Sequence, residues 1–308
     1  MFNVQCSMFN EFCTFALTMS TVIYPSPIFG PIHSRRLGIS LGINLQPADG
    51  KVCTFDCIYC ECGFNSDHRP TLPRPSRQLV AQKLEEQLQK MVAEGQLPDV
   101  LTFAGNGEPT GHPHFAEIID DTIRLRDQYC PNAKVCVLSN STMIHRPEVH
   151  DALMRVDDNI LKLDTVDPTY INKVDRPTGH YDVQQIIEHM KSFHGHIIIQ
   201  TMFMRGTLNV QSSKFKVQRS TFNVQRSKFK VQSSKFKVQS SKFNVDNTGE
   251  EFVSPWLEVV KQIKPQQVMV YTIDRETPAQ GLEKASREQL DAIRDRVIAA
   301  GIPCTASY

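Results

Sequence analysis

Three cysteines, Cys53, Cys57 and Cys60, stand in the spacing C-x3-C-x2-C, with a fourth, Cys62, two residues on. In a loop this spacing gathers three thiolates around one small volume. A [4Fe–4S] cube takes one thiolate per iron, so three ligands leave one iron open, which is what a site that binds substrate on a metal requires. The competing reading is a structural zinc site with Cys62 or His68 as fourth ligand. Such sites usually pair two C-x2-C-like units, and the second pair is missing. The remaining cysteines (Cys6, Cys13, Cys130, Cys136, Cys304) are scattered. A tight cluster speaks for a metal site in a reducing compartment rather than a disulfide framework.

The elements that must position this loop follow a strand–helix rhythm. Ile39–Leu45, Val100–Ala104, Lys134–Ser139, Ile160–Asp164, His196–Phe203 and Gln267–Ile273 read as six strands. Between them, Val80, Leu84, Leu88, Met91 and Val92 form one apolar helical face. Ser254-Pro255 reads as the start of a later helix, and Ser286 with Gln289 as a capping box for the last. Six βα units imply a parallel sheet covered by helices, with ligands at the C-terminal strand ends. Three of those ends carry polar chemistry: the cysteine loop, Gly105-Asn106-Gly107-Glu108-Pro109, and Ser139-Asn140. Periodicity leaves open whether the sheet curls into a partial barrel; Lys162 and Asp164 alternate onto one side of the fourth strand, and a charged pair facing such an interior is costly, which favours a site role.

Cys53-Thr54-Phe55-Asp56-Cys57-Ile58-Tyr59-Cys60, followed by Gly105-Asn106-Gly107-Glu108-Pro109, resembles the radical S-adenosylmethionine (SAM) superfamily. Ser34–Gly38, Ser40–Asn44, Val137–Asn140, Lys162–Asp164 and Tyr271–Arg275 are similar to one branch of it, uncharacterised iron–sulfur oxidoreductases related to wyosine-forming tRNA enzymes. The resemblance implies an α/β partial (βα)6 barrel. It also implies a [4Fe–4S] cluster on Cys53, Cys57 and Cys60, and reductive cleavage of SAM to methionine and a 5′-deoxyadenosyl radical that takes hydrogen from a substrate. Gly105 and Gly107 would let the backbone approach the methionine part, beside Asn106. Glu108 or nearby carbonyls would accept from its ammonium; a turn residue is the bland reading. Ser139 and Asn140 would bond the ribose or carboxylate, or else cap a helix. Tyr59 would pack beside the adenine, or in the core, and Lys162 and Asp164 would complete the cofactor site. Arg35 and Arg36 would bind an anionic substrate or steady the N-terminal loop. Electrons would come from a separate protein of flavodoxin or ferredoxin type. The substrate is not written in the sequence; RNA base modification and partner-enzyme activation are the options the resemblance leaves. A non-catalytic iron–sulfur or zinc protein is the alternative class.

Residues 207–247 break the pattern. Phe215, Phe222, Phe229, Phe236 and Phe243 recur every seven residues, each with a valine two positions later. Apolar spacings of two and five do not make a coiled-coil seam. The segment reads as a low-complexity insertion after strand five, and residues 1–19, which repeat its Phe-Asn-Val-Gln wording, as an extension outside a working domain of 20–308. The insertion holds nine Lys/Arg and one Asp, so the rest of the chain has 25 basic and 32 acidic residues. Its basic and aromatic composition is open to nucleic acid, but a solvated loop is the favoured reading. No apolar run long enough to span a membrane appears, and no signal-like N-terminus, so the cytoplasm is the expected location.

Overall fold

The structure, a computed structural model, describes residues 21–34, 38–210 and 241–308. Arg35, Arg36, most of the repeat and the N-terminal extension lie outside the described residues.

The first hairpin pairs β1 (Ile28–Ser34) with β2 (Gly38–Ile43) in antiparallel fashion. From β2 the chain repeats one move: strand, helix, parallel strand. The helix α1 (Arg77–Glu94) leads to β3 (Val100–Phe103), α2 (Phe115–Tyr129) to β4 (Lys134–Ser139), and α3 (Pro147–Leu153) to β5 (Asp158–Lys162). Two short helices, α4 (Pro168–Val174) and α5 (Val183–Lys191), lead to β6 (Ile198–Met202). A rim hairpin of β7 (Met204–Val210) and β8 (Ser241–Asn244) precedes α6 (Glu250–Ile263) and β9 (Gln267–Tyr271). The chain finishes with β10 (Leu282–Lys284), α7 (Arg287–Ala299) and β11 (Cys304–Ser307).

The main sheet runs β1-β2-β3-β4-β5-β6-β9-β11, parallel from β2 onward. It has two ends, so this is an open partial barrel and not a closed one. The six strands read from the sequence are all present, and β11 adds a seventh parallel strand. Cys304-Thr305-Ala306-Ser307 is too short and too weakly apolar to announce itself. It forms by pairing with β9, Cys304 opposite Val268 and Ser307 opposite Tyr271.

Alternation along the strands divides the sheet into two faces. Leu41, Ile43, Leu101, Phe103, Val135, Val137, Leu161 and Ile199 point to the helices and form the main core with Leu84, Leu88, Ile119 and Trp256. Val92 is not part of this face: it is 47% exposed. At 100° per residue it sits roughly 120° round α1 from Val80, beyond the stripe that Leu84, Leu88 and Met91 define. The helix α6 also departs from expectation, starting at Glu250 after an extended Gly249 and carrying Pro255 inside it. Burial of Val253, Trp256, Leu257, Val260 and Ile263, with the Trp256 indole donating to the Leu163 carbonyl (3.0 Å), outweighs the one backbone bond the proline forfeits. The Ser286–Gln289 capping box of α7 is present on both sides.

Both ends of the segment read as an insertion belong to the folded body. Thr207 to Val210 pair with Asn244 to Ser241, and Val245 is fully buried with Met202, Met204, Ile58 and Tyr170. Asn247, also fully buried, donates to the Met202 carbonyl (2.8 Å) and accepts from the Met204 N–H (2.9 Å). Val210 and Ser241 oppose each other, so a two-residue Asn-Gly turn closes the hairpin without residues 211–240. We expect that deletion to keep its melting temperature within about 4 °C, because shortening a loop changes closure entropy only slightly. Deleting 207–247 instead removes Val245 and Asn247 and should leave no soluble folded protein. Differential scanning calorimetry of the two deletions checks both.

No helix among the described residues is long and apolar enough to cross a membrane.

Candidate functional site

The segment from Lys51 to Asn65 has almost no regular secondary structure of its own, so the sheet must hold it in place. The Val52 N–H donates to the Asn106 carbonyl (2.9 Å), and Val52 bridges Gly107 in parallel. The Asp56 N–H donates to the Asp175 carbonyl (3.0 Å) and the Ile58 N–H to the Val174 carbonyl (2.9 Å), fastening the loop to the end of α4. The Asn65 side chain closes it from within, donating to the carbonyls of Cys53 (3.2 Å) and Phe55 (3.0 Å). Three cysteines of differing exposure result: Cys57 is buried, Cys53 and Cys60 partly so, and all carry free thiols.

Two of these sulfurs face an N–H donor: Asn140 Nδ2 lies 3.6 Å from Cys53 Sγ and Lys162 Nζ 3.2 Å from Cys57 Sγ. Burial, with Glu108 behind it, pushes the Cys53 thiol up to about 12, and burial likewise raises Cys57. Cys60 is held low, first by the Cys62 thiol beside it and then by the Lys51 charge, against the opposing effect of burial. Cys62 is itself buried and donates to the Gly105 carbonyl (3.4 Å). Among the described residues no three His, Cys, Asp or Glu side chains converge closely enough to share a single metal ion. His68, the other candidate for a zinc site, is hydrogen-bonded to Thr21 (2.6 Å). A cube asks for something different, one thiolate at each of separate corners, and three cysteines of one loop with N–H donors around them fit that donor set.

The Gly105–Pro109 segment does its work inward. Gly107 has φ +140°, and a Cβ there would lie 1.9 Å from the Val52 carbonyl oxygen. The missing side chain makes room for the cysteine loop. Gly105 (φ +126°) stands against the Asn44 side chain in the same way, 2.8 Å from where its Cβ would be. Asn106 is fully buried: it accepts from the Tyr24 N–H (2.8 Å) and donates to the carbonyls of Tyr24 (2.9 Å) and Pro47 (3.2 Å). Glu108, 3% exposed, is no surface turn residue. It accepts from the Thr110 N–H (3.1 Å), the Ser139 hydroxyl (2.9 Å) and the Asn140 N–H (2.6 Å). Burial raises its carboxyl above the usual range, although those three donors pull the other way. Ser139 and Asn140 are thereby committed to the protein. They cap no helix, since α3 begins after Arg146. Asn140 also donates to Thr54 (2.8 Å), tying the end of β4 to the cysteine loop.

Lys162 and Asp164 do face one side, and a residue the sequence did not disclose joins them. Lys162 Nζ pairs with Asp164 (3.1 Å) and with Asp175 (2.7 Å), all three nearly buried. The Tyr59 hydroxyl donates to Asp164, and its ring lies 4.5 Å from the ammonium. Burial opposes the charge on Lys162, but Asp164, Asp175 and Cys57 outweigh it and hold the ammonium well above its ordinary range. Burial also pushes the Asp175 carboxyl up, against the pull of Lys162. Asp175 occupies the C-terminal cap of α4, where the helix dipole disfavours an acid. That misplacement is the one local signal that could have flagged it. Replacing Lys162 by methionine leaves two buried carboxylates facing each other, and is expected to cost about 3–5 kcal/mol. Adding Asp175→Asn should recover part of it; urea unfolding of the two variants measures both.

A cavity of roughly 430 Å3 opens beside this network, a size suited to a small-molecule ligand. Tyr59, Cys60 and Gly105 line it, with Gln200, Met202 and Tyr271 from the strand ends. Gln200, followed by Thr201, interrupts the apolar run of β6, and that interruption is the local signal of its role. At the rim Arg275 pairs with Glu61 (2.9 Å) and donates to the Tyr24 hydroxyl (2.8 Å), joining three distant segments.

An open parallel α/β sheet with a three-cysteine loop and a cavity on its C-terminal rim defines a cofactor-dependent class of protein. Residues 49–210, just over half of the chain, match the Radical SAM superfamily, and the chain belongs to that superfamily. Its members are associated with SAM and an iron–sulfur cluster. A UPF0026 protein of Helicobacter pylori (strain J99) is 32% identical over 184 residues, 58% of this chain and 56% of that one. The UPF0026 protein MJ1312 of Methanocaldococcus jannaschii is 31% identical over 195 residues, 61% and 57% of the two chains. The chain thus spans a little over half the length of these curated relatives. Among solved structures, a radical SAM methyltransferase from Sphaerobacter thermophilus superposes with TM-score 0.57 at 11% identity, covering 87% of this chain and 66% of that one. Streptococcus suis SuiB bound to S-adenosylmethionine gives 0.54 at 13% identity, covering 87% and 50%. Both share the fold.

Proposed function

We propose that the chain holds one [4Fe–4S] cluster on Cys53, Cys57 and Cys60 and cleaves SAM reductively in the adjoining cavity. The observation that carries this reading is that Cys60 and Gly105 line one wall of a cavity whose floor is the C-terminal edge of a parallel sheet. A cluster held by Cys53, Cys57 and Cys60 would supply the one electron that reductive cleavage of SAM to methionine and a 5′-deoxyadenosyl radical requires, and hydrogen would then come from a substrate. The protein's part is orientation and exclusion of water. The backbone of Gly105 and the ring of Tyr59 give the ligand a close-fitting wall. The Lys162 ammonium, held between Asp164 and Asp175, offers a fixed positive charge beside Cys57. Glu108 acts at one remove, holding Ser139 and Asn140 so that the Asn140 amide faces Cys53. Asn106 holds the irregular segment at Tyr24 against the glycine turn. Electrons enter from a separate flavodoxin- or ferredoxin-type protein.

The test is anaerobic reconstitution with iron and sulfide, addition of dithionite and SAM, and chromatography of the products. 5′-Deoxyadenosine formed in proportion to enzyme supports the reading. A fully loaded cluster with neither 5′-deoxyadenosine formation nor a spectroscopic response to SAM overturns it.

A further inference from the structure

Lys51 is a buried ammonium to which the proposed function gives no role. It lies two residues before Cys53, is 3% exposed, and donates to the Gly63 carbonyl at 2.5 Å. That carbonyl belongs to the residue just after Cys62, so Lys51 spans the cysteine loop from its first residue to its last. Burial opposes its charge, and the cysteines of the loop, once ionised, would favour it, Cys60 first, then Cys53 and Cys57, with Asp56 behind them. Lys162 is different, because its charge is already matched by two carboxylates. A buried ammonium whose closest partner is a neutral carbonyl is expensive to keep, and the protein recovers that cost only if negative charge appears beside it.

Three deprotonated thiolates are such a charge, and reduction adds one more negative charge to the same volume. A fixed cation beside a redox centre stabilises its reduced form and raises its potential, more so where water is excluded. We propose that Lys51 is a positioning residue that sets the reduction potential of the cluster by holding its ammonium against the Cys60 side of the loop. The inference rests on the cluster assignment above. The electron comes from the external donor, or from dithionite in the test, and no proton accompanies it.

The experiment is a dithionite titration of the reconstituted full-length protein, followed by electron paramagnetic resonance, in the wild type, Lys51→Met, Lys51→Gln and Lys51→Arg. At a fixed poise the neutral variants should show at least a tenfold lower ratio of reduced to oxidised cluster, about 59 mV for one electron. Lys51→Arg should return most of the way to the wild type. Equal ratios in wild type and in either loaded neutral variant overturn the proposal. If both neutral variants fold, by circular dichroism, yet take up no iron while Lys51→Arg does, Lys51 serves assembly alone and the potential-setting role is overturned as well. Failure of the wild type itself to bind iron and sulfide would sink the cluster assignment instead, an outcome the titration separates from the others.

Discussion

Alanine at Cys57 is expected to lower 5′-deoxyadenosine formation by more than about a hundredfold and to reduce bound iron well below about four per chain. The reason is geometric. Cys57 is the buried member of the three, with its sulfur 3.2 Å from Lys162 and its neighbours Asp56 and Ile58 pinned to the end of α4. A water or thiol from solution has little access to replace it. The fold should survive, because the change removes one sulfur from a loop and leaves the core of the sheet intact. Cys130, packed in the helix-side core, and Cys62, hydrogen-bonded to Gly105, provide the comparison. Alanine at either should leave iron and product near the wild-type level. Iron lost in Cys62→Ala but kept in Cys57→Ala would reassign the ligands.

Gly107→Ala should be nearly as damaging without touching a cysteine. A Cβ 1.9 Å from the Val52 carbonyl oxygen cannot be accommodated by rotating a side chain, since the Cβ is fixed by its own backbone and the atom it meets is backbone. The positive φ adds strain of its own, about 1–3 kcal/mol, before the clash is counted. The total should exceed about 3 kcal/mol, a fall in melting temperature of at least about 6 °C for a chain of this size. Relief comes only by moving Val52, and with it Cys53, so cluster uptake should drop alongside stability. At Gly111 an added methyl would meet only the far end of Arg74 at 4.0 Å, so Gly111→Ala should be close to neutral. Thermal melts and iron content on both variants test the contrast.

Much of this could be read from residue order. Strands such as Val100–Phe103 and Lys134–Ser139 are apolar runs that the fold buries on both faces, and their polar ends point to one rim. What resisted was whatever depends on two distant segments meeting. The glycines at 105 and 107 were visible as permissive positions, but their Cβ sites are taken by Asn44 and Val52. Glu108 was visible as an acid near the site, yet a sequence does not say that Ser139 and Asn140 will turn their donors toward it. Asp175 sits outside any periodic pattern, and its importance exists only once β5 brings Lys162 alongside α4. Val92 and Pro255 depart from what local rules predict because side-chain packing overrides those rules.

The way the cysteine loop is fastened has a consequence for the life of the chain in time. Val52 needs Asn106, Thr54 needs Thr178, Asp56 needs Asp175, and Ile58 receives a backbone bond from Ala279. Contacts of such sequence separation close late in folding. A ribosome must therefore have released the chain past residue 279 before residues 53–60 reach their final places, even though they are made early. Delivery of the proposed cluster would accordingly follow the closing of these contacts, and a chain stalled before residue 279 would present its thiols without the surroundings that hold and protect them.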